Sequence, residues 1–203
     1  MSDVENVEFT DKTGVVRTGA LRRAHEDSVS AIVAAGTNWS SELLSTLAES
    51  GIHLLELNEL GDDDRAALAA WEAAARWVER ELDVDHTCAL GHEHQGTRAF
   101  LLGCTSNVLA GTIVVDGALV LEELDRDRPF QPLEMALGLE CPLLAFYGQE
   151  NEAITAADHE GYAAVLSQFS RSFDIVARPG DGRGPLTPAE LQRIVSFVHE
   201  LAD

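Results

Sequence analysis

The chain has 203 residues, enough for one well-buried domain, and its 45% hydrophobic and 24% charged content is that of a globular protein. Thirty-five acidic residues against 14 basic ones give a net charge of −21, and the only lysine is Lys12, so nothing supplies the basic footprint that a nucleic-acid partner requires. The N-terminal MSDVENVEFT has neither a basic stretch nor an apolar core, and no segment approaches the ~18 apolar residues of a membrane span; the expectation is a cytoplasmic protein without a membrane partner.

In chain order, residues 1–27 with VEF and GVVRTGAL around a Lys-Thr-Gly turn predict a hairpin added to a sheet edge. Short apolar runs then alternate with amphipathic segments, the pattern of a mostly parallel sheet wound by helices. The strand candidates are Ala31–Ala35, Ile52–Leu57, Arg98–Gly103, Thr112–Leu121, Pro142–Gly148 and Phe173–Ala177. Asp62, Asp63 and Asp64 open a helix whose buried stripe is Leu68, Trp71, Ala75, Val78 and Leu82. Thr155 and Asp158 make a capping box for a helix burying Tyr162, Val165, Leu166 and Phe169; Thr187, Pro188 and Glu190 do the same for a last helix with Leu191, Ile194, Val195, Val198 and Leu201 inward. Cys88, Cys104 and Cys141 are odd in number and widely spaced, which fits free thiols better than a disulfide framework.

Three segments, FLLGCTSNV, CPLLAFYGQENEAIT and IVARPGDGRGPLTPAE, resemble in order the nucleophile turn, the acid turn and the base turn of the dienelactone hydrolase family. The resemblance implies an α/β-hydrolase fold without a cap domain, a single domain over residues 1–203. It sets Gly103 and Asn107 around Thr105 at the nucleophile, Asn151 at the acid and Arg183 at the base, so all three triad positions are substituted. Sliding the register by one makes Cys104 the nucleophile, with Leu102 and Ser106 where small residues are needed. A threonine hydroxyl needs an adjacent base, and a guanidinium cannot accept a proton, so ordinary triad hydrolysis is disfavoured.

The pocket implied by the fold lies at the carboxyl ends of the strands. Gly36, Thr37, Asn38 and Trp39, with the backbone near Ser106 and the charge of Arg183, are the residues expected to bind a small carbonyl- or carboxylate-bearing molecule. No cofactor is implied. His86, Cys88, His92 and His94 are metal-ligand types, but their spacing matches no common zinc signature, and the plainer reading of that stretch is a polar loop, without metal, leading into the strand at Arg98. Glu122, Glu123, Asp125 and Asp127 mark a loop able to fold over the site. Edge strands leave a homodimer open.

Function follows in three versions: non-triad chemistry of the epimerase, cyclase or lyase kind, by analogy; a non-catalytic binding or regulatory protein; or residual ester or lactone hydrolysis by Cys104. Whether the chain is an enzyme stays open at this point.

Overall fold

The computed structural model describes residues 4–24, 28–36, 39–58, 60–61, 63–124, 129–169, 172–182 and 184–202. Two antiparallel strands, β1 (Val4–Thr10) and β2 (Val16–Arg22), form the expected hairpin, with Thr10 opposite Val16. Its turn is organised by Asp11, whose carboxylate accepts from Thr13 N (2.8 Å), Thr13 Oγ1 (2.5 Å), Val15 N (3.1 Å) and Arg17 Nε (3.0 Å). Burial works to raise this carboxyl's pKa, but those bonds prevail and hold it at about 2.

The chain continues through β3 (Ser30–Ala35), α1 (Ser41–Glu49), β4 (Ile52–Leu57), α2 (Asp64–Leu82), β5 (His86–His92), α3 (His94–Thr105), β6 (Gly111–Val115), a 3₁₀ helix (Pro132–Gly138), β7 (Leu143–Gly148), α4 (Ala156–Gln168), β8 (Phe173–Arg178) and α5 (Pro188–Glu200). Sheet order is β1-β2-β4-β3-β5-β6-β7-β8; β2 joins β4 antiparallel, and from β4 to β8 every pairing is parallel. The central strands are apolar on both faces, as a sheet covered on both sides must be. In β5, Cys88 and Leu90 pack with α1 and α5, while Ala89 packs with α2 and α3, following the two-residue period. Tyr162 and Leu166 of α4 complete the layer beside α3.

Helix starts match the sequence. Asp63 caps α2 through Ala66 N (2.8 Å), and Thr155 and Thr187 each close a capping box, with Asp158 and Glu190. Asp62 lies outside the described residues. Of the expected α2 stripe, Trp71, Ala75 and Val78 are buried, and the Trp71 indole donates to Val33 O at 3.1 Å.

Two strand expectations are corrected. Arg98–Gly103 is not a strand but the middle of α3, and the strand at that place in the sheet is β5. Residues 96–104 of α3 are all buried, so the helix shows no polar face and its apolar run has the look of a strand. The stretch around His86, Cys88 and His92, expected as a polar loop, therefore contains the central strand. Thr112–Leu121 shortens to β6, which ends before Asp116, a residue at φ 51° that cannot extend a ladder. No helix among the described residues is long and apolar enough to cross a membrane.

Candidate functional site at the β5–α3 turn

The β5 chain leaves the sheet after His92 and enters α3 at His94 through one residue, Glu93, at φ 52°, ψ −122°. That conformation is normally reserved for glycine, and holding a side chain there costs about 1–3 kcal/mol. The surroundings enforce it. A Cβ on Gly91 would lie 2.1 Å from Gln95 O, and a Cβ on Gly96 would lie 3.0 Å from the Gly117 Cα, so strand and helix meet only because both positions are glycine. Glu93 N donates to Val115 O at 2.7 Å, pinning the turn to the end of β6. Arg98, one turn into α3, is buried and reaches Asp64 Oδ1 (2.9 Å), Gly61 O (3.3 Å) and Gln95 Oε1 (3.5 Å), which fixes the start of α3 against the β4–α2 loop.

The Glu93 side chain is exposed and opens onto a cavity of about 240 Å³ at the carboxyl ends of β3, β4 and β5. Gly36, Asn58, Leu60, His92 and His94 are among its walls. Trp39 and His92 stand with ring centroids 6.0 Å apart, and the Trp39 indole nitrogen is buried without an acceptor among the described residues. No side chain caps α3, so its first-turn N–H groups and positive dipole end sit beside the Glu93 carboxylate. The volume is below the ~300–1,000 Å³ of common ligand pockets, which limits an occupant to a small molecule.

The neighbouring strand ends are knitted by one guanidinium. Arg178, at the end of β8 and only 4% exposed, donates Nε to Glu190 Oε1 (2.9 Å), Nη1 to Asp116 Oδ2 (3.0 Å) and to Gly182 O, and Nη2 to Gly184 O (2.9 Å) and Pro185 O (3.2 Å). Asp116 Oδ1 accepts Gly148 N at 3.0 Å. All five guanidinium donors are used, so β6, β7, β8 and α5 converge on a buried ion-pair knot of one guanidinium and two carboxylates that shapes the loop after β8.

Several sequence-derived site residues lie elsewhere. Cys104, Thr105 and Ser106 form the far end of α3, about 17 Å of helical rise from Glu93. Thr105 Oγ1 donates to Leu101 O (2.7 Å), Ser106 is the C-cap, and Cys104 is buried at a carbonyl end that offers no positive potential to a thiolate. The stretch is a helix terminus and not a strand-to-helix turn, so Cys104, Thr105 and Ser106 all lie away from the β5–α3 turn and its cavity. His86 and His92 lie at opposite ends of β5, about 20 Å apart at the usual strand rise, so they cannot share an ion with Cys88 and His94. No group of three or more metal-ligand side chains converges among the described residues.

Gly36 and Trp39 do flank the cavity; Thr37, Asn38 and Arg183 are outside the described residues, as are Asp125 and Asp127 of the acidic loop. Asn151 follows β7 as expected, but its Oδ1 accepts from Ala153 N (3.0 Å) and Ile154 N (3.3 Å), an Asx turn that occupies the acceptor. The residue missed in the sequence is Glu93. The signal for it is Gly91-x-Glu93-x-x-Gly96 directly after the apolar Cys88-Ala89-Leu90 and before a helix.

No protein-family model matches the chain, and no curated protein is recognisably similar to it in sequence. Solved structures are similar over its whole length. A protein assigned as a dienelactone hydrolase from Klebsiella pneumoniae has a TM-score of 0.79 and 18% identity, covering 98% of this chain and 99% of that one. An esterase from Pyrococcus furiosus has a TM-score of 0.77 and 12% identity over 98% and 91% of the two chains. A puromycin-hydrolysing peptidase from Mycobacterium tuberculosis has a TM-score of 0.80 and 14% identity, over 99% of this chain but 39% of the larger protein. At such identities the likeness establishes the fold: a dienelactone hydrolase-like α/β-hydrolase sheet.

Proposed function

We propose that this chain is a hydrolase-fold protein whose reacting position carries a carboxylate, Glu93, and that it binds a small carbonyl compound there and works by proton transfer instead of triad hydrolysis. The observation that carries the reading is the backbone of Glu93. In this fold the strained strand-to-helix turn is where the nucleophile stands. Strain at a non-glycine residue persists only where the surroundings impose it, and it gathers at functional positions.

The chemistry follows from the groups present. No hydroxyl or thiol stands at the turn, Asn151 cannot hold a transient imidazolium as a carboxylate does, and Arg183 cannot act as a base. On this reading the three triad positions hold Glu93, Asn151 and Arg183, with Glu93 replacing Thr105 in the assignment. A Glu93 carboxylate facing the α-carbon of a bound carbonyl takes the α-proton, and the electron pair moves onto the carbonyl oxygen as an enolate. N–H groups at the start of α3 are suited to that oxygen. Return of the proton to the opposite face, after the enolate turns over in the cavity, gives the epimer, and departure of a β-substituent, protonated by the Glu93 carboxylic acid as it leaves, gives elimination. General-base catalysis of this kind contributes about 10²–10⁴ in rate.

A panel of small esters, lactones, thioesters and α-chiral carbonyl compounds tests the reading. Epimerisation or elimination lost in Glu93→Gln and kept in Cys104→Ala is the expected outcome; ester hydrolysis that depends on Cys104 is the outcome that would sink it.

A further inference from the structure

A second cavity lies on the opposite layer of the molecule from α1 and α5, between α2, α3 and the segment leading into the 3₁₀ helix, with a volume of about 400 Å³. Its walls are Leu68 of α2, Leu101 and Leu102 of α3, and Phe130 and Met135. Phe130, 42% exposed, lines the cavity. The volume falls within the ~300–1,000 Å³ of small-ligand pockets, and the walls are apolar enough to hold an alkyl chain.

The charges around it do not cancel at one place. Glu72 is paired with Lys12 at 3.0 Å and with Arg76 at 3.1 Å, and Asp64 with Arg98 at 2.9 Å. Each wall carboxylate thus has its own cation. Arg65 lines the same cavity, is exposed, and has no carboxylate partner among the described residues. In a chain of net charge −21, a guanidinium without a carboxylate partner among the described residues is out of character, since acidic groups outnumber basic ones by 35 to 14. Ser106 Oγ, also in the lining, accepts from Val108 N at 3.4 Å and keeps its own proton for a polar partner.

We infer that this cavity is a binding site for a free acyl carboxylate of medium length, with its tail against Leu68, Leu101, Phe130 and Met135 and its carboxylate paired with Arg65. The site is independent of Glu93 and stands or falls apart from the proton-transfer reading. A guanidinium takes a carboxylate in two parallel hydrogen bonds, and an apolar wall beside it shields the pair from water.

The test is calorimetric titration with decanoate and with decyltrimethylammonium, which has the same tail and the opposite head. The overall charge of the protein favours the cation, so a preference for decanoate has to come from a local site. Saturable 1:1 binding of decanoate, weakened at least about tenfold in Arg65→Gln and blocked in Leu68→Trp but not in Glu93→Gln, is the expected result. Equal or tighter binding of the cation, or decanoate binding unchanged in Arg65→Gln, would overturn it. Sedimentation with phosphatidylglycerol vesicles separates the two sources of an anionic acyl group: no co-sedimentation is expected, and Arg65-dependent pelleting would contradict a free ligand.

Discussion

Replacing Glu93 by glycine should make the protein more stable than replacing it by alanine, the reverse of the usual order. Both changes remove the same carboxylate and its interaction with the start of α3, so the difference between them isolates the backbone. At φ 52°, ψ −122°, alanine retains the steric cost of a Cβ, about 1–3 kcal/mol, while glycine does not. Glycine gives back about 0.4–1 kcal/mol through the greater freedom of its unfolded chain. The net advantage of Glu93→Gly is then centred on about 1.3 kcal/mol, which for a chain of this size raises Tm by roughly 3–5 °C over Glu93→Ala. Calorimetric melting of the pair reads it directly. If Glu93→Ala melts at the same temperature or higher, the turn is not strained, and the argument that strain marks the reacting position fails.

Three further outcomes follow from groups away from the turn. Arg178→Met removes the cation facing Asp116 and Glu190 and leaves two buried carboxylates uncompensated, which should cost about 3–5 kcal/mol in urea unfolding; a loss under 1 kcal/mol would show that the knot is unimportant. Asp11→Asn should destabilise by about 1–2 kcal/mol at pH 7 through weakened turn bonds. Because the folded Asp11 carboxyl sits at about 2 against 3.8 ordinarily, that stability is present above pH 4 and disappears as the pH falls to 2, so wild type and variant should converge there and a constant gap would refute the linkage. His53 Nδ1 accepts Ala24 N–H at 3.0 Å, and burial, helped by the Arg23 charge, holds its pKa below 6.5. The unfolded chain therefore takes up a proton first, and stability should begin to fall as the pH drops below 6.5, in a step that urea titrations of His53→Gln lack.

Much of the sheet was legible in the chain because its signals are local. Thr155 and Thr187 declare their helices through capping boxes that need only four residues, and Ile52–Leu57 carries its own apolar run. The candidate site was less legible for two physical reasons. Burial of α3 along residues 96–104 erases the polar face that distinguishes a helix, so the sequence pattern places the strand at Arg98, 12 residues past the His86 at which β5 begins. The search for a turn also required a hydroxyl or thiol with a small residue two positions on, whereas Glu93 has Gln95 there and Gly96 one step further. The Asp116–Arg178–Glu190 knot joins residues 62 apart in sequence, and no local pattern announces it.

The most direct test of the central claim is exchange of the α-proton of small carbonyl ligands in D₂O, followed by proton NMR with the wild-type protein, Glu93→Gln and Cys104→Ala. The account predicts catalysed exchange that falls at least about 100-fold in Glu93→Gln and is untouched in Cys104→Ala. Exchange that survives Glu93→Gln, or hydrolysis that requires Cys104, would contradict it.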